Sequence, residues 1–177
     1  MHTVTHKLNE SVGPVRLQTE SSRVSIIEWA DGQTAEGKLG EFGPQTWTST
    51  TSVPIVLAQP DTAIQVPAGM RNEGKSSTAY AGKVVLIKRG GIPFVVKVKN
   101  MQDHGAAAVL VYNNVAGDFV MGGVDTNNVI AIPSVMITQS RGETLRAALA
   151  NGPVNVTMNE PAGEYSCPLR GSHSIFV

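Results

Sequence analysis

Apolar residues are most regularly spaced in the middle of the chain. Residues 83–88 form a continuous apolar run of strand length, and a second such run covers residues 106–112. Between them, Phe94, Val98 and Met101 recur at the spacing of one helical face. A strand, a helix and a strand within about 30 residues predict a right-handed, parallel βαβ unit.

Weaker patterns on both sides of this unit predict further strands and a second helix. Because Pro54 has no N–H for a strand ladder, its strand is expected at a sheet edge. Ser140 followed by Glu143 is a capping box, which predicts the start of a short helix that Gly152 would end. The further strands are predicted at residues 23–29, 53–58, 132–137 and 154–158.

The length of 177 residues suits one domain with loose ends. We expect a flexible arm over 1–20, a domain over 21–160 and a tail over 161–177. Lys and Arg together number 14, as do Asp and Glu, whereas proteins that bind phosphate backbones usually carry a basic excess. Nucleic acid is therefore not an expected partner. No apolar run approaches the roughly 20 residues of a membrane helix, so no membrane span is expected.

The only cysteine, Cys167, excludes an intrachain disulfide and a thiolate metal cluster. The first residues contain no apolar segment of the kind found in a signal peptide. Sequons at Asn9 and Asn155 are possible glycosylation sites and weakly support a secreted or endomembrane-lumenal location. A cytoplasmic location is the alternative, and the sequence leaves the compartment open.

Short motifs follow one another in a specific order between residues 82 and 145. They are Gly82-Lys83-Val84-Val85-Leu86-Ile87, Arg89-Gly90 with Phe94, Lys97, Asn100, Gly105-Ala106, Ala108-Val109, Tyr112-Asn113-Asn114, Ile132-Pro133-Ser134-Val135 and Gly142 with Leu145. Their order and spacing resemble the protease-associated (PA) domain. The resemblance implies an α/β, β-rich fold, namely a β-sandwich or open barrel flanked by a few short helices.

The same resemblance implies a non-catalytic domain that binds peptides or protein segments. PA domains accompany subtilisin-like proteases, zinc aminopeptidases, transferrin-receptor-like proteins, vacuolar sorting receptors and RING-type ubiquitin ligases, and they are credited with shaping substrate access and mediating dimer contacts. We therefore expect a protein or peptide ligand and no cofactor, and the resemblance also allows a peptidase partner or a homodimer. Many members carry Cys at the position of Ile92, so packing of Ile92, Pro93 and Phe94 must hold this loop instead.

Residues that could carry chemistry form no recognisable catalytic or metal-binding motif. The sequence contains no G-x-S-x-G, H-E-x-x-H or P-loop pattern. His104, placed before Gly105, is expected to complement a helix C-terminus. Asp118 and Asp125 suit an ordinary polar loop better than a calcium site, since their spacing lacks the alternation of an EF-hand. A small hydrolase is therefore the least favoured function.

A turn, a strand end and a flap form the candidate peptide-binding site. The turn Arg89-Gly90-Gly91 offers a guanidinium beside backbone amides, which together suit a carboxylate or a peptide backbone. The strand end Tyr112-Asn113-Asn114 should open onto the same edge of the sheet. The flap over 117–128 adds the apolar side chains of Phe119, Val120 and Met121.

We expect this site to dock an extended segment in a shallow groove. Arg89 would anchor polar or C-terminal oxygens, Tyr112 would offer an amphipathic face, and Asn113 and Asn114 would bond the main chain. Phe94 should be buried under the strand 83–88. An alternative function is a regulatory or substrate-access domain of a secreted or vacuolar peptidase. The plain structural alternative, in which Arg89 forms a salt bridge and Asn113-Asn114 only ends a strand, remains open from the sequence.

Overall fold

The computed structural model describes residues 23–59, 79–127 and 129–162, apart from the side chain of Asp31. The strands are β1 (Val24–Trp29), β2 (Gln33–Leu39), β3 (Thr50–Leu57), β4 (Val84–Lys88), β5 (Ala108–Tyr112), β6 (Ser134–Ile137) and β7 (Val154–Met158). The helices are α1 (Phe94–Asp103) and α2 (Gln139–Asn151). None of the helices in these ranges is long and apolar enough to cross a membrane. The predicted arm, nearly all of the predicted tail, Asn9 and Cys167 lie outside the described residues.

The strands form a closed barrel in the order β1-β2-β6-β5-β4-β3-β7, with β7 pairing back onto β1. The four strands β3, β4, β5 and β6 are parallel neighbours, and the remaining pairs are antiparallel. The β-rich fold and the βαβ unit of β4, α1 and β5 are therefore confirmed. The resemblance implied a β-sandwich or an open barrel, whereas the described strands form a closed barrel.

Strands β4 and β5 are buried on both faces, which explains their unbroken apolar sequence. Val84 and Leu86 belong to the cluster that also contains Leu145 of α2, whereas Val85 and Ile87 pack in a second cluster with Val98 of α1. One face of these strands thus lines the interior of the barrel, which residues of all seven strands and Leu145 fill, and α1 covers the opposite, outer face. This arrangement fixes the carboxyl ends of the parallel strands relative to both helices.

Two predicted local features are wrong. Strand β3 is not at an edge, because it pairs with β4 on one side and β7 on the other. The Ala58 N–H donates to the Leu86 carbonyl of β4, so by strand alternation the nitrogen of Pro54 also faces β4. The pairing of β3 with β4 begins only at Ile55, so the missing N–H of Pro54 breaks no bond of that ladder. Helix α2 starts before the predicted capping box: Thr138 is the N-cap and accepts a hydrogen bond from the Arg141 N–H at 3.4 Å.

Candidate binding site

The parallel strands end in register at one side of the barrel. Lys88 of β4 lies opposite Tyr112 of β5, which in turn lies opposite Ile137 of β6. The residues that follow are joined by the same ladder, since the Arg89 N–H donates to the Tyr112 carbonyl at 2.9 Å and the Asn113 N–H donates to the Ile137 carbonyl at 3.1 Å. The expectation that the Arg89 turn and the end of β5 meet at one edge is confirmed.

The Arg89 side chain is held in a defined position at this edge. Its Nη1 donates to Asn113 Oδ1 at 3.0 Å. The guanidinium carbon lies 4.4 Å from the centroid of the Phe119 ring and 6.0 Å from that of Phe94, both within the range of cation–π attraction. Within the described part of the chain Arg89 makes no ion pair. A half-buried guanidinium is therefore oriented by an amide and two rings, with most of its N–H donors left for solvent or a ligand.

Asn113 organises the loop rather than facing outward. The residue is 1% exposed. Its Oδ1 accepts hydrogen bonds from Arg89 and from the Asn114 N–H, and its Nδ2 donates to the Gly117 carbonyl at 3.2 Å. The Asn113 amide is therefore buried and already bonded, and its contact with a ligand main chain stays a prediction. Asn114 is exposed, and its Nδ2 lies near Gly90.

The side chains of Tyr112 and Met121 are both fully buried. Tyr112 belongs to the cluster inside the barrel, and Gly142 of α2 packs directly against it. Met121 belongs to the cluster beneath α1. Neither side chain therefore reaches the surface at the Arg89 edge, and their contacts with a ligand stay a prediction. Phe119, by contrast, is 40% exposed and remains available to a ligand.

The turn after Arg89 depends on glycine and on Lys97, which the sequence analysis named as a motif residue but not as a site residue. Gly90 and Gly91 have φ angles of 117° and 83°, which glycine adopts without strain. Lys97 of α1 is fully buried, and its Nζ donates to the Lys88 carbonyl at 3.3 Å. Phe94 is only partly buried against the cluster beneath α1, less than predicted. The loop without cysteine is thus held by polar bonds as well as by packing.

The loop that carries Phe119 is anchored farther along by side chains. The Gln102 amide donates to the Val129 carbonyl at 2.8 Å and accepts from the Ala131 N–H at 2.7 Å. The Asp125 carboxylate accepts from the N–H groups of Val129 and Ile130. Asp125 therefore serves as an ordinary loop-stabilising residue, and no group of three possible metal ligands occurs among the described residues.

A groove of about 420 Å³ begins at the Phe119 ring and runs over the outside of the barrel. Its lining residues come from β1, β2, β6, the Phe119 loop and the start of α2. They are Ile26, Thr34, Glu36, Lys38, Asp118, Phe119, Met136, Ile137, Thr138 and Arg141. Most of them escaped the sequence reasoning, because β2 has only small or isolated apolar residues on its buried face and gave no strand signal.

A larger groove, of about 850 Å³, lies between α2 and β3. It is lined mainly by apolar residues such as Leu57 and Leu149, and of the predicted site residues it contains only Asn155. Asn155 is exposed, and its Nδ2 donates to Ser52 Oγ at 3.1 Å. The polar groups that the sequence singled out converge at Arg89 instead, and this is why we take the Arg89 edge as the candidate site.

His104 is structural, as predicted. It caps the C-terminus of α1, where its Nδ1 lies 2.6 Å from the Asn100 carbonyl oxygen. Its ring meets the Tyr80 ring edge-on, with 6.3 Å between the centroids. His104 lies at the end of α1, and no hydrogen bond or ring contact among the described residues joins it to Arg89.

Comparison with known proteins places this fold in a family. The family model described as "PA domain" matches residues 51–145. A probable leucine aminopeptidase 2 of Arthroderma benhamiae is 38% identical over 95 residues, which cover 50% of this chain and 19% of that protein. The receptor homology region, transmembrane domain- and RING domain-containing protein 3 of Arabidopsis thaliana is 31% identical over 126 residues, which cover 71% of this chain and 29% of that protein.

Among solved structures, an aminopeptidase from Aneurinibacillus sp. strain AM-1 is similar, with a TM-score of 0.55 and 28% sequence identity. The match covers 79% of this chain and 30% of that one. The chain thus spans less than a third of each of these relatives. A family model that covers more than half of the chain, together with the matching barrel, establishes that the chain belongs to the PA domain family.

Proposed function

We propose that this PA domain is a non-catalytic module that binds a protein or peptide segment at the Arg89 edge. The observation that carries the proposal is the Arg89 guanidinium, which is oriented by Asn113 and Phe119 and makes no ion pair with any described residue. Because the guanidinium is already oriented, less side-chain entropy is lost when a ligand binds. The groups gathered here are a guanidinium, amides and an aromatic ring, which suit recognition of oxygen atoms.

Recognition must rely on side chains and turn amides rather than on strand addition. The described strands all have partners on both sides, so the barrel offers a peptide no free strand edge. Arg89 can bind a carboxylate with two parallel hydrogen bonds, and the exposed Asn114 side chain beside Gly90 can bond a main-chain group. Phe119 adds apolar contact. A patch of this size supports weak binding unless a second site contributes avidity.

The test is a titration of the domain with a library of short extended peptides, followed by measurement of Kd for the best binders. Arg89→Ala should weaken binding by about tenfold to a hundredfold, because a hydrogen bond to a charged group contributes about 1.5–3 kcal/mol. Arg89→Lys should recover little of the loss, since lysine lacks the planar fork. Arg146→Ala is the matched control, as Arg146 is exposed and pairs with Glu143 on α2. Equal affinity of wild type and Arg89→Ala would end this proposal.

A second candidate function is control of substrate access in a peptidase. The match to a probable leucine aminopeptidase over half of this chain favours it. The two functions differ in what the Arg89 edge contacts, a free ligand or a catalytic domain. A transcript that joins this sequence to a catalytic domain, together with altered kcat/KM for peptide substrates on Arg89→Ala, would support the second function.

We also propose a secreted or lumenal location, with the cytoplasm as the alternative. The exposure of Asn155 at the outside of β7 is compatible with a glycan on its sequon. Glycosidase treatment of the native protein tests this, since a mobility shift that Asn155→Gln removes would place the protein in the secretory pathway. A cytosolic fraction with unmodified Asn155 would contradict it.

A further inference from the structure

The groove of about 420 Å³ and the Arg89 edge share one side chain. The Phe119 ring stacks on the guanidinium at 4.4 Å and also lines the groove. Asp118, the preceding residue, lines both this groove and a neighbouring hollow of about 330 Å³ at the start of α2. A segment anchored at Arg89 that passes Phe119 therefore enters the groove directly.

The groove has two exposed apolar walls over a buried floor. Ile26 of β1 and Phe119 are each 40% exposed, and both are among the few large apolar side chains that the described surface leaves uncovered. Met136 of β6 points outward, forms the floor and is 3% exposed. A volume of 420 Å³ lies within the usual 300–1,000 Å³ of ligand pockets. An apolar side chain of a ligand would bury the exposed parts of both walls.

The charged groups of the groove balance one another. Lys38 and Asp118 face each other at 3.8 Å and form an ion pair. Glu36 and Arg141 line the same groove, and neither forms an ion pair with another residue in the described ranges. With two positive and two negative side chains, the groove has no net preference for a charged ligand side chain. It does offer a strong acceptor, Glu36, and a strong donor, Arg141, for peptide N–H and C=O groups.

We propose that this groove binds the residue adjacent to the one that Arg89 anchors, and that it selects an apolar side chain there. The ligand is then an extended peptide segment with a carboxylate side chain next to an aliphatic one. The aliphatic side chain lies between Ile26 and Phe119, while Glu36 and Arg141 bond the main chain. These two residues take the place of the strand edge that the closed barrel lacks. The inference rests on the proposed function and names the ligand class for the same site.

The experiment measures Kd for matched peptides that differ only in the residue next to the aspartate. One pair contains Asp-Leu or Asp-Ser in a Gly-Ser background, and a second pair has the reversed order, Leu-Asp or Ser-Asp. For wild type, the leucine peptide of at least one pair should bind about tenfold more tightly than its serine partner, which is the lower end of apolar discrimination in a pocket. Ile26→Ser should remove that preference by weakening the binding of the leucine peptide.

Two further variants separate the parts of the groove. Glu36→Gln and Arg141→Gln should weaken the leucine and serine peptides by the same factor, about twofold to fivefold, since both bond the main chain. Val124→Ser is the control for the loss of an exposed, β-branched apolar side chain, because Val124 is 80% exposed and lies outside the groove. Circular dichroism melts verify that each variant stays folded, as expected for partly or fully exposed positions.

The outcomes distinguish the two claims. If Arg89→Ala weakens binding but wild type does not prefer the leucine peptide, or if Ile26→Ser leaves that preference intact, the ligand class proposed for the groove is wrong and the Arg89 site stands. If no acidic peptide binds, or if Arg89→Ala leaves the affinity unchanged, both claims are wrong. A preference for leucine that Ile26→Ser abolishes and Val124→Ser preserves supports the inference.

Discussion

Replacing Gly142 with alanine should destabilise the domain, although alanine is the better helix former. A Cβ at this position would lie 2.1 Å from Tyr112 Cβ and 2.3 Å from Tyr112 Cγ, whereas ordinary contacts begin at 3.4 Å. Helix α2 would therefore have to retreat by more than about 1 Å. Tyr112 cannot yield instead, because β5 is paired on both sides and the atoms concerned lie next to its backbone.

The size of the effect follows from two opposing contributions. Alanine in place of glycine in a helix contributes about 1 kcal/mol of stability. Overpacking a close contact typically costs about 1–3 kcal/mol and more where the neighbours are rigid. We place the contact with Tyr112 at or above the upper end, so Gly142→Ala should lower the free energy of unfolding by about 2 kcal/mol or more.

Urea unfolding followed by circular dichroism measures this difference. Ala147→Gly is the matched control, since Ala147 is exposed on the same helix and its loss should cost about 1 kcal/mol from helix propensity alone. The two variants thus exchange the same residues in opposite directions. If Gly142→Ala were as stable as wild type or more stable, α2 would not approach β5 as closely as the structure shows, and the reasoning would fail.

Two further predictions concern stability near the site and at the register shift of β3 between Thr50 and Val53. Phe94→Ala should cost about 1–3 kcal/mol, below the roughly 3–5 kcal/mol of a fully buried phenylalanine, and Arg89→Ala should cost less; equal losses in thermal melts would make Arg89 a structural residue. Ser52 has a φ of 52°, so Ser52→Val should destabilise by about 1–3 kcal/mol and Ser52→Gly by less. The opposite order in denaturant melts, as β-propensity predicts, would contradict the backbone geometry.

The central part of the fold could be predicted from the sequence because its strands are buried on both faces. Burial on both sides removes polar residues and produces the continuous runs of β4 and β5. Strand β2 could not be found in this way. Its sequence, QTAEGKL, buries only Ala35, Gly37 and Leu39, so its place in the barrel is decided by pairing with β1 and β6 rather than by apolar content.

Within the candidate site, the meeting of the strand ends could be predicted from the sequence, whereas the directions of the side chains were predicted only in part. Parallel strands end at one edge, so the meeting of Arg89 with the end of β5 could be predicted. The burial of Tyr112 could have been inferred from the apolar run that it ends, since β5 is buried on both faces and Tyr112 points into the barrel like Ala108 and Leu110. The groove beyond Phe119 could not, because it depends on the unpredicted β2.

The closed barrel affects how the domain folds and where the limits of a stable fragment must lie. The family match covers residues 51–145, yet β1, β2 and β7 lie outside it. A fragment with those limits would expose the free edges of β3 and β6, and such edges promote aggregation. The ladder between β1 and β7 also joins opposite ends of the described chain. Such a high contact order predicts slow folding that finishes only after β7 has been synthesised.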